Sequence, residues 1–136
     1  MKYLQIKKED SIATVSINRP NAMNALSIEV LKEFCTLQEY FREDLDTRVV
    51  IFTGEGDHFS AGADLKEKPQ LSTKLESWRN NFGKPAIKSI LDIDQITIAA
   101  VNGYCLGGAA CIVSACDFRI ASEKAILGYP EINLGI

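Results

Sequence analysis

The spacing of apolar positions changes several times along the chain, and each change marks an element. Residues 3–7 and 11–17 alternate apolar and polar around Lys8-Glu9-Asp10, which predicts a β-hairpin. Ala13, Val15 and Ile17 then share one face, and Ile12, Thr14 and Ser16 the other. Pro20 holds Arg19 extended, so residues 18–22 read as a loop. Ser27 is placed to cap a helix to about Phe41, with Val30, Leu31, Phe34 and Tyr40 on its apolar face. Residues 48–53 form a short apolar run closed by Gly54, the pattern of a strand buried on both faces of a parallel sheet. The stretch 54–68 reads as a loop ending in a helical turn. Thr73 with Glu76 predicts a capping box for a helix with Leu75, Trp78 and Phe82 on one face, ended by Gly83. Pro85 opens a further helix at its first position, with Ile87, Ile90 and Leu91 as its buried stripe. Ile96–Val101 is a second buried strand. Gly107-Gly108 leads into a small-residue helix, Ala109–Ala115, and residues 118–121 and 125–127 read as strands. This alternation predicts one α/β domain with right-handed crossovers.

Composition excludes several classes. With 136 residues, 46% hydrophobic and 24% charged, the chain can bury a core of ordinary size. A net charge of −3 offers no basic footprint for nucleic acid or an anionic membrane, and no apolar run is long enough to span a bilayer. Cys35, Cys105, Cys111 and Cys116 form no CxxC pair and His58 is the only histidine, which argues against a zinc site. The polar start is unlike a signal peptide, so the thiols read as reduced and the location as cytoplasmic. The end at Leu134-Gly135-Ile136 reads as a cut inside a loop, with residues 1–136 forming a core domain whose C-terminal part is missing.

Two loops carry candidate chemistry. Phe59-Ser60-Ala61-Gly62-Ala63-Asp64-Leu65-Lys66 follows a buried strand and holds three tiny residues in a row, which lets a ligand approach the backbone. Val101-Asn102-Gly103-Tyr104-Cys105-Leu106-Gly107-Gly108 follows the other buried strand and opens a helix, whose free N–H groups favour a negative oxygen. One donor from each loop would stabilise an enolate, and such a donor is worth about 3–4 kcal/mol of barrier. Neither loop has the glycine spacing of nucleotide-binding folds.

These two loops together resemble the crotonase (enoyl-CoA hydratase/isomerase) family. So do Asn18-Arg19-Pro20 with Asn24-Ala25-Leu26, Cys116-Asp117-Phe118-Arg119-Ile120-Ala121, and Gly128-Tyr129-Pro130-Glu131-Ile132-Asn133-Leu134-Gly135, all in the family's order. The resemblance implies a crotonase-like ββα spiral, an α/β fold, here incomplete without its C-terminal helices. It makes the Ala63 and Gly108 N–H groups the oxyanion hole. It places Arg19, Ala61, Ala63, Asp64, Leu65, Lys66, Gly108 and Cys111 along an acyl-CoA substrate. It implies no cofactor, since coenzyme A arrives within the thioester, and a homo-oligomer, trimer or hexamer, for a full-length chain.

The family's hydratases share the work of hydration between two glutamates. One lies three residues after the oxyanion glycine, and that position here is Cys111. The other lies in the Pro-Glu loop and is Glu131. A single carboxylate suffices to move a proton between carbons, so the resemblance implies isomerisation or hydration of an enoyl-CoA, with weight toward isomerisation. Thioester hydrolysis and carbon–carbon cleavage are further reactions of the family, and nothing in the sequence selects them. A non-catalytic acyl-CoA-binding or interaction protein is the competing reading, supported by Cys111 and the early end. Cys111 reads as a small filler among Ala109, Ala110 and Ile112, with a reactive thiol at a helix start as the alternative. Asp64 and Asp117 read as backbone-bonding groups, and His58 as exposed and without a partner.

Overall fold

A computed structural model of the chain describes residues 1–67 and 83–134. Strands β1 (Leu4–Glu9) and β2 (Ile12–Ile17) pair antiparallel from Leu4 opposite Ile17 to Glu9 opposite Ile12. Asp10 takes a positive φ of 51° in the turn between them. The expected alternation holds: Ala13, Val15 and Ile17 are buried. β3 (Val49–Gly54), β4 (Ile96–Val101) and β6 (Phe118–Ala121) extend the sheet in parallel, in the order β1-β2-β3-β4-β6. β5 (Tyr104–Leu106) and β7 (Ile126–Gly128) form a second, two-stranded parallel sheet. In β3 one face is fully buried and the other half-buried, rather than both fully buried as its apolar run suggests.

Four helices are described. α1 (Ile28–Cys35) starts where expected, with Ser27 Oγ accepting from the Val30 N–H at 3.2 Å. It does not run on to Phe41. Thr36 interrupts it, its hydroxyl donating to the Glu33 carbonyl, and α2 (Leu37–Arg42) begins anew. Leu37 and Phe41 nonetheless continue the buried stripe of Val30 and Phe34, while Tyr40, off that stripe, is exposed. α3 (Gly83–Leu91) carries Pro85 as its third residue, not its first. Ala86, Ser89 and Ile90 are its buried stripe, while Leu91 lies 61% exposed, against expectation. The predicted helix around Leu75, Trp78 and Phe82 lies outside the described residues. α4 (Gly108–Ala115) is nearly all small and apolar, and Arg119 closes its end by donating to the carbonyls of Val113, Ser114 and Cys116. A cation among C-terminal carbonyls complements the helix dipole.

The core lies between the large sheet and α1, α2, α3 and α4, filled by Phe34, Phe41, Phe52, Phe59 and their aliphatic neighbours. Phe34 and Phe52 meet at 6.2 Å between ring centroids. Asp117 ties β6 to β4, its carboxylate accepting from both the N–H and the hydroxyl of Thr97 at 2.8 Å. It is the backbone-bonding group anticipated for it, and these bonds lower its pKa.

Candidate active site

The segment after β3 is laced to the segment after β4. Phe59 N–H donates to Asn102 O at 2.7 Å, Ser60 N–H to Tyr104 O at 2.9 Å, and Leu106 N–H to Ser60 O at 3.1 Å. Gly62, at φ +88°, brings the strands closer still: a Cβ there would stand 2.6 Å from Leu106 O. A third strand-like segment completes the lacing. Leu26 N–H donates to Gly62 O at 2.8 Å, and Asp64 N–H to Leu26 O at 3.2 Å.

This last pair decides where Ala63 points. Leu26 forms a parallel bridge with Ala63 but bonds to the residues on either side of it. The Ala63 N–H therefore lies on the opposite edge, and among the described residues it has no acceptor. Gly108 is the first residue of α4, where an N–H has no intrahelical partner. It too has no acceptor among the described residues.

Ala63 and Gly108 both line a cavity of about 790 Å³. Its walls are largely apolar: Leu26, Leu31 of α1, Ile87 and Leu91 of α3, and Ile112 of α4. Leu91 is exposed on this account, since it borders the cavity rather than the core. Glu131 reaches the same cavity from the 3-10 turn Pro130–Leu134. Its Oε2 is buried and has no hydrogen-bond partner among the described residues. A buried carboxylate oxygen left unpaired is costly unless something else is to meet it.

The loop carrying Ala63 is held from outside the cavity. The Arg19 guanidinium donates to Ala25 O at 2.7 Å and to Asp64 at 3.1 Å, and lies 5.3 Å from the Tyr3 ring centroid. Asp64 also accepts from the Lys66 N–H at 3.1 Å. Beneath them Asn24 is fully buried, accepting from Arg19 N–H and donating to the carbonyls of Glu55 and His58. Asn24, which the sequence shows only as part of the family-like run Asn24-Ala25-Leu26, is thus a polar clamp between these loops.

The enoyl-CoA hydratase/isomerase family model matches residues 7–136. The chain belongs to the enoyl-CoA hydratase/isomerase family. It is 39% identical to the short-chain-enoyl-CoA hydratase of Clostridium acetobutylicum, over 96% of this chain and 51% of that protein. It is 31% identical to the peroxisomal delta(3,5)-delta(2,4)-dienoyl-CoA isomerase of Arabidopsis thaliana, over 100% of this chain and 53% of that protein. The crystal structure of an enoyl-CoA hydratase/carnithine racemase from Magnetospirillum magneticum superposes with a TM-score of 0.94 at 29% identity, over 100% of this chain and 52% of that one. The chain thus has the α/β crotonase fold and spans about half the length of the curated relatives it matches.

The family member brings some of the anticipated site residues together and not others. Ala63, Gly108, Cys111 and Glu131 share the cavity. Arg19, Ala61 and Asp64 lie behind it as supports, with Ala61 N–H donating to Met23 O at 2.9 Å. Leu65 and Lys66 are exposed beyond the loop. Two expectations change. Cys111 is no filler: α4 turns Ala109, Ala110 and Ile112 into the core and leaves Cys111 exposed on the cavity wall. His58 is half-buried rather than exposed, because its Nδ1 accepts from the Tyr104 N–H at 3.3 Å and its ring lies 4.6 Å from that of Tyr104.

Proposed function

We propose that the protein processes acyl-CoA thioesters by stabilising their enolates. The observation that carries this reading is a pair of N–H groups, Ala63 and Gly108, that find no acceptor among the described residues, on one largely apolar cavity that also holds Glu131 Oε2, likewise without a partner among them. The thioester oxygen would accept from both N–H groups, with the acyl chain along Leu26, Leu31, Ile87 and Ile112. Glu131 would take a proton from C2 of a 3-enoyl thioester and return it at C4, leaving a 2-enoyl thioester. A group acting this way contributes about 10²–10⁴-fold. Leu65 and Lys66 are proposed contacts for the coenzyme. Arg19, Ala61 and Asp64 would serve the same region by fixing the loop.

Isomerisation is preferred over hydration because Cys111 stands where the family's hydratases carry their second glutamate, and Asp92, the other carboxylate on the cavity wall among the described residues, is paired with Lys88. The reading needs no cofactor beyond the coenzyme A of the substrate. It goes with a homo-oligomer, trimer or hexamer, in the cytoplasm, with no nucleic-acid or membrane partner. Among the described residues no helix is long and apolar enough to cross a membrane.

The test is incubation with 2-enoyl-, 3-enoyl- and 3-hydroxyacyl-CoAs, followed by mass spectrometry and absorbance of the conjugated thioester. Conversion of 3-enoyl to 2-enoyl, lost in Glu131→Gln while binding persists, is the expected result. Water addition as the main reaction would overturn isomerisation. Binding without turnover of any thioester would favour a non-catalytic acyl-CoA-binding protein instead.

A further inference from the structure

Gly107 stands where α4 begins, at φ 54° and ψ −122°. This conformation is nearly closed to residues with a side chain. What surrounds it is unusual among the described glycines. A Cβ on Gly54 or Gly62 would strike backbone atoms first, whereas the three atoms nearest a Cβ on Gly107 all belong to Glu131: Oε1 at 1.8 Å, Cδ at 2.7 Å and Oε2 at 3.1 Å. The carboxylate of Glu131 occupies the space that a side chain at position 107 would fill.

The backbone on both sides of this contact is held, so a clash there could be relieved only by the Glu131 side chain leaving its place. Gly107 N–H donates to Gly128 O at 2.8 Å, and Leu106 faces Gly128 in the β5–β7 register. The Gly107 carbonyl accepts from Ala110 N–H at 2.9 Å and Cys111 N–H at 3.4 Å. Glu131 follows Gly128 by way of Pro130, whose ring fixes φ at the start of the 3-10 turn. Among the described residues nothing polar pins the buried Oε2. The orientation of the carboxylate is therefore set by shape, against the bare Cα next to Gly108.

We infer that Gly107 is a positioning residue whose missing side chain seats the Glu131 carboxylate at the cavity wall. This rests on the reading of Glu131 as the proton carrier, but the seat itself is a steric relationship that can be measured without turnover.

The test compares Gly107→Ala, Glu131→Ala and the double variant, with Glu131→Gln as a kinetic reference, all in the full chain. The backbone strain of Gly107→Ala is common to both backgrounds, while the clash with the carboxylate exists only beside Glu131. Gly107→Ala should therefore lower Tm more in the native background than in Glu131→Ala. Folding of the double variant where Gly107→Ala alone fails is the same result in a stronger form. Equal losses of Tm, or failure of both to fold, would overturn the seat. In turnover, Gly107→Ala should lower kcat about 10²-fold or more with little change in KM. Native kcat beside an inactive Glu131→Gln would overturn the positioning role. A fully active Glu131→Gln would instead remove Glu131 as the proton carrier, and the Tm comparison would then decide the seat by itself.

Discussion

Arg19 and Asp64 meet at 3.1 Å although 45 positions separate them, and the contact joins the proline-containing loop to the loop that carries Ala63. Both side chains are largely shielded, 20% and 12% exposed, so the pair is not an ordinary surface bridge. Asp64→Ala would leave the guanidinium with Ala25 O and the Tyr3 ring, and the Lys66 N–H without its acceptor. The expected loss of stability is about 1–3 kcal/mol in urea unfolding. Turnover should fall as well, since the loop orients one of the two proposed oxyanion donors. Loss of stability with native kcat would separate the support of the fold from the support of the site.

Gly108→Pro is the cleanest removal of a proposed donor. Gly108 is the first residue of α4, where proline is tolerated because its missing N–H has no intrahelical partner. The space is adequate, since a Cβ there would touch only Leu26 Cδ1 at 3.4 Å. The variant should keep its far-ultraviolet circular dichroism and lose about 10²–10³ in kcat. A folded Gly108→Pro with native turnover would remove this N–H from the oxyanion hole.

The regular elements were legible because their signals are local. The hairpin alternation, the Ser27 cap, the run Ile96–Val101 and the Gly107-Gly108 entry to α4 each depend on neighbours within a few residues. What was not legible depends on distant partners. His58 is held by Tyr104, 46 positions on, and Asn24 by carbonyls 31 and 34 positions away. The helix break at Thr36 lay within reach but was obscured, since Val30, Phe34 and Phe41 nearly sustain one helical stripe through it. The site divides in the same way. Its loops are visible as small-residue runs, but the turning of Cys111 outward required the pose of α4 against the core.

Stability should depend on acid through Asp44. Lys8 Nζ stands 2.7 Å from its Oδ2, and the Thr47 hydroxyl donates to the same oxygen at 2.6 Å. These contacts, the lysine first, hold the carboxyl well below the usual carboxylate range. A folded-state pKa depressed in this way stabilises the protein above the unfolded value of about 4 and is lost as pH falls toward the folded value. Asp44→Asn should therefore be less stable than the native protein at pH 7, with the gap narrowing below about pH 4. Urea unfolding at a series of pH values measures it. A gap independent of pH would mean that the ion pair is not its source.

Cys111 differs from its neighbours in both reach and consequence. Burial pushes Cys105 up to about 11 and Cys116 up to about 12, and both lie in the core. Cys111 is exposed on the cavity wall, so a maleimide should label it well ahead of those two, and an acyl-CoA in the cavity should slow the labelling. The same exposure makes Cys111→Glu a feasible exchange, because the longer side chain can enter the cavity without displacing core. A carboxylate there would face the substrate together with Glu131, as the two glutamates of the family's hydratases do. Water addition to a 2-enoyl-CoA should rise by about 10²-fold or more, the range of a positioned acid–base group. Product analysis by mass spectrometry decides the matter. If Cys111→Glu folds, binds the thioester and still adds no water, the residue at this position does not choose between hydration and isomerisation, and the preference for isomerisation loses its structural basis.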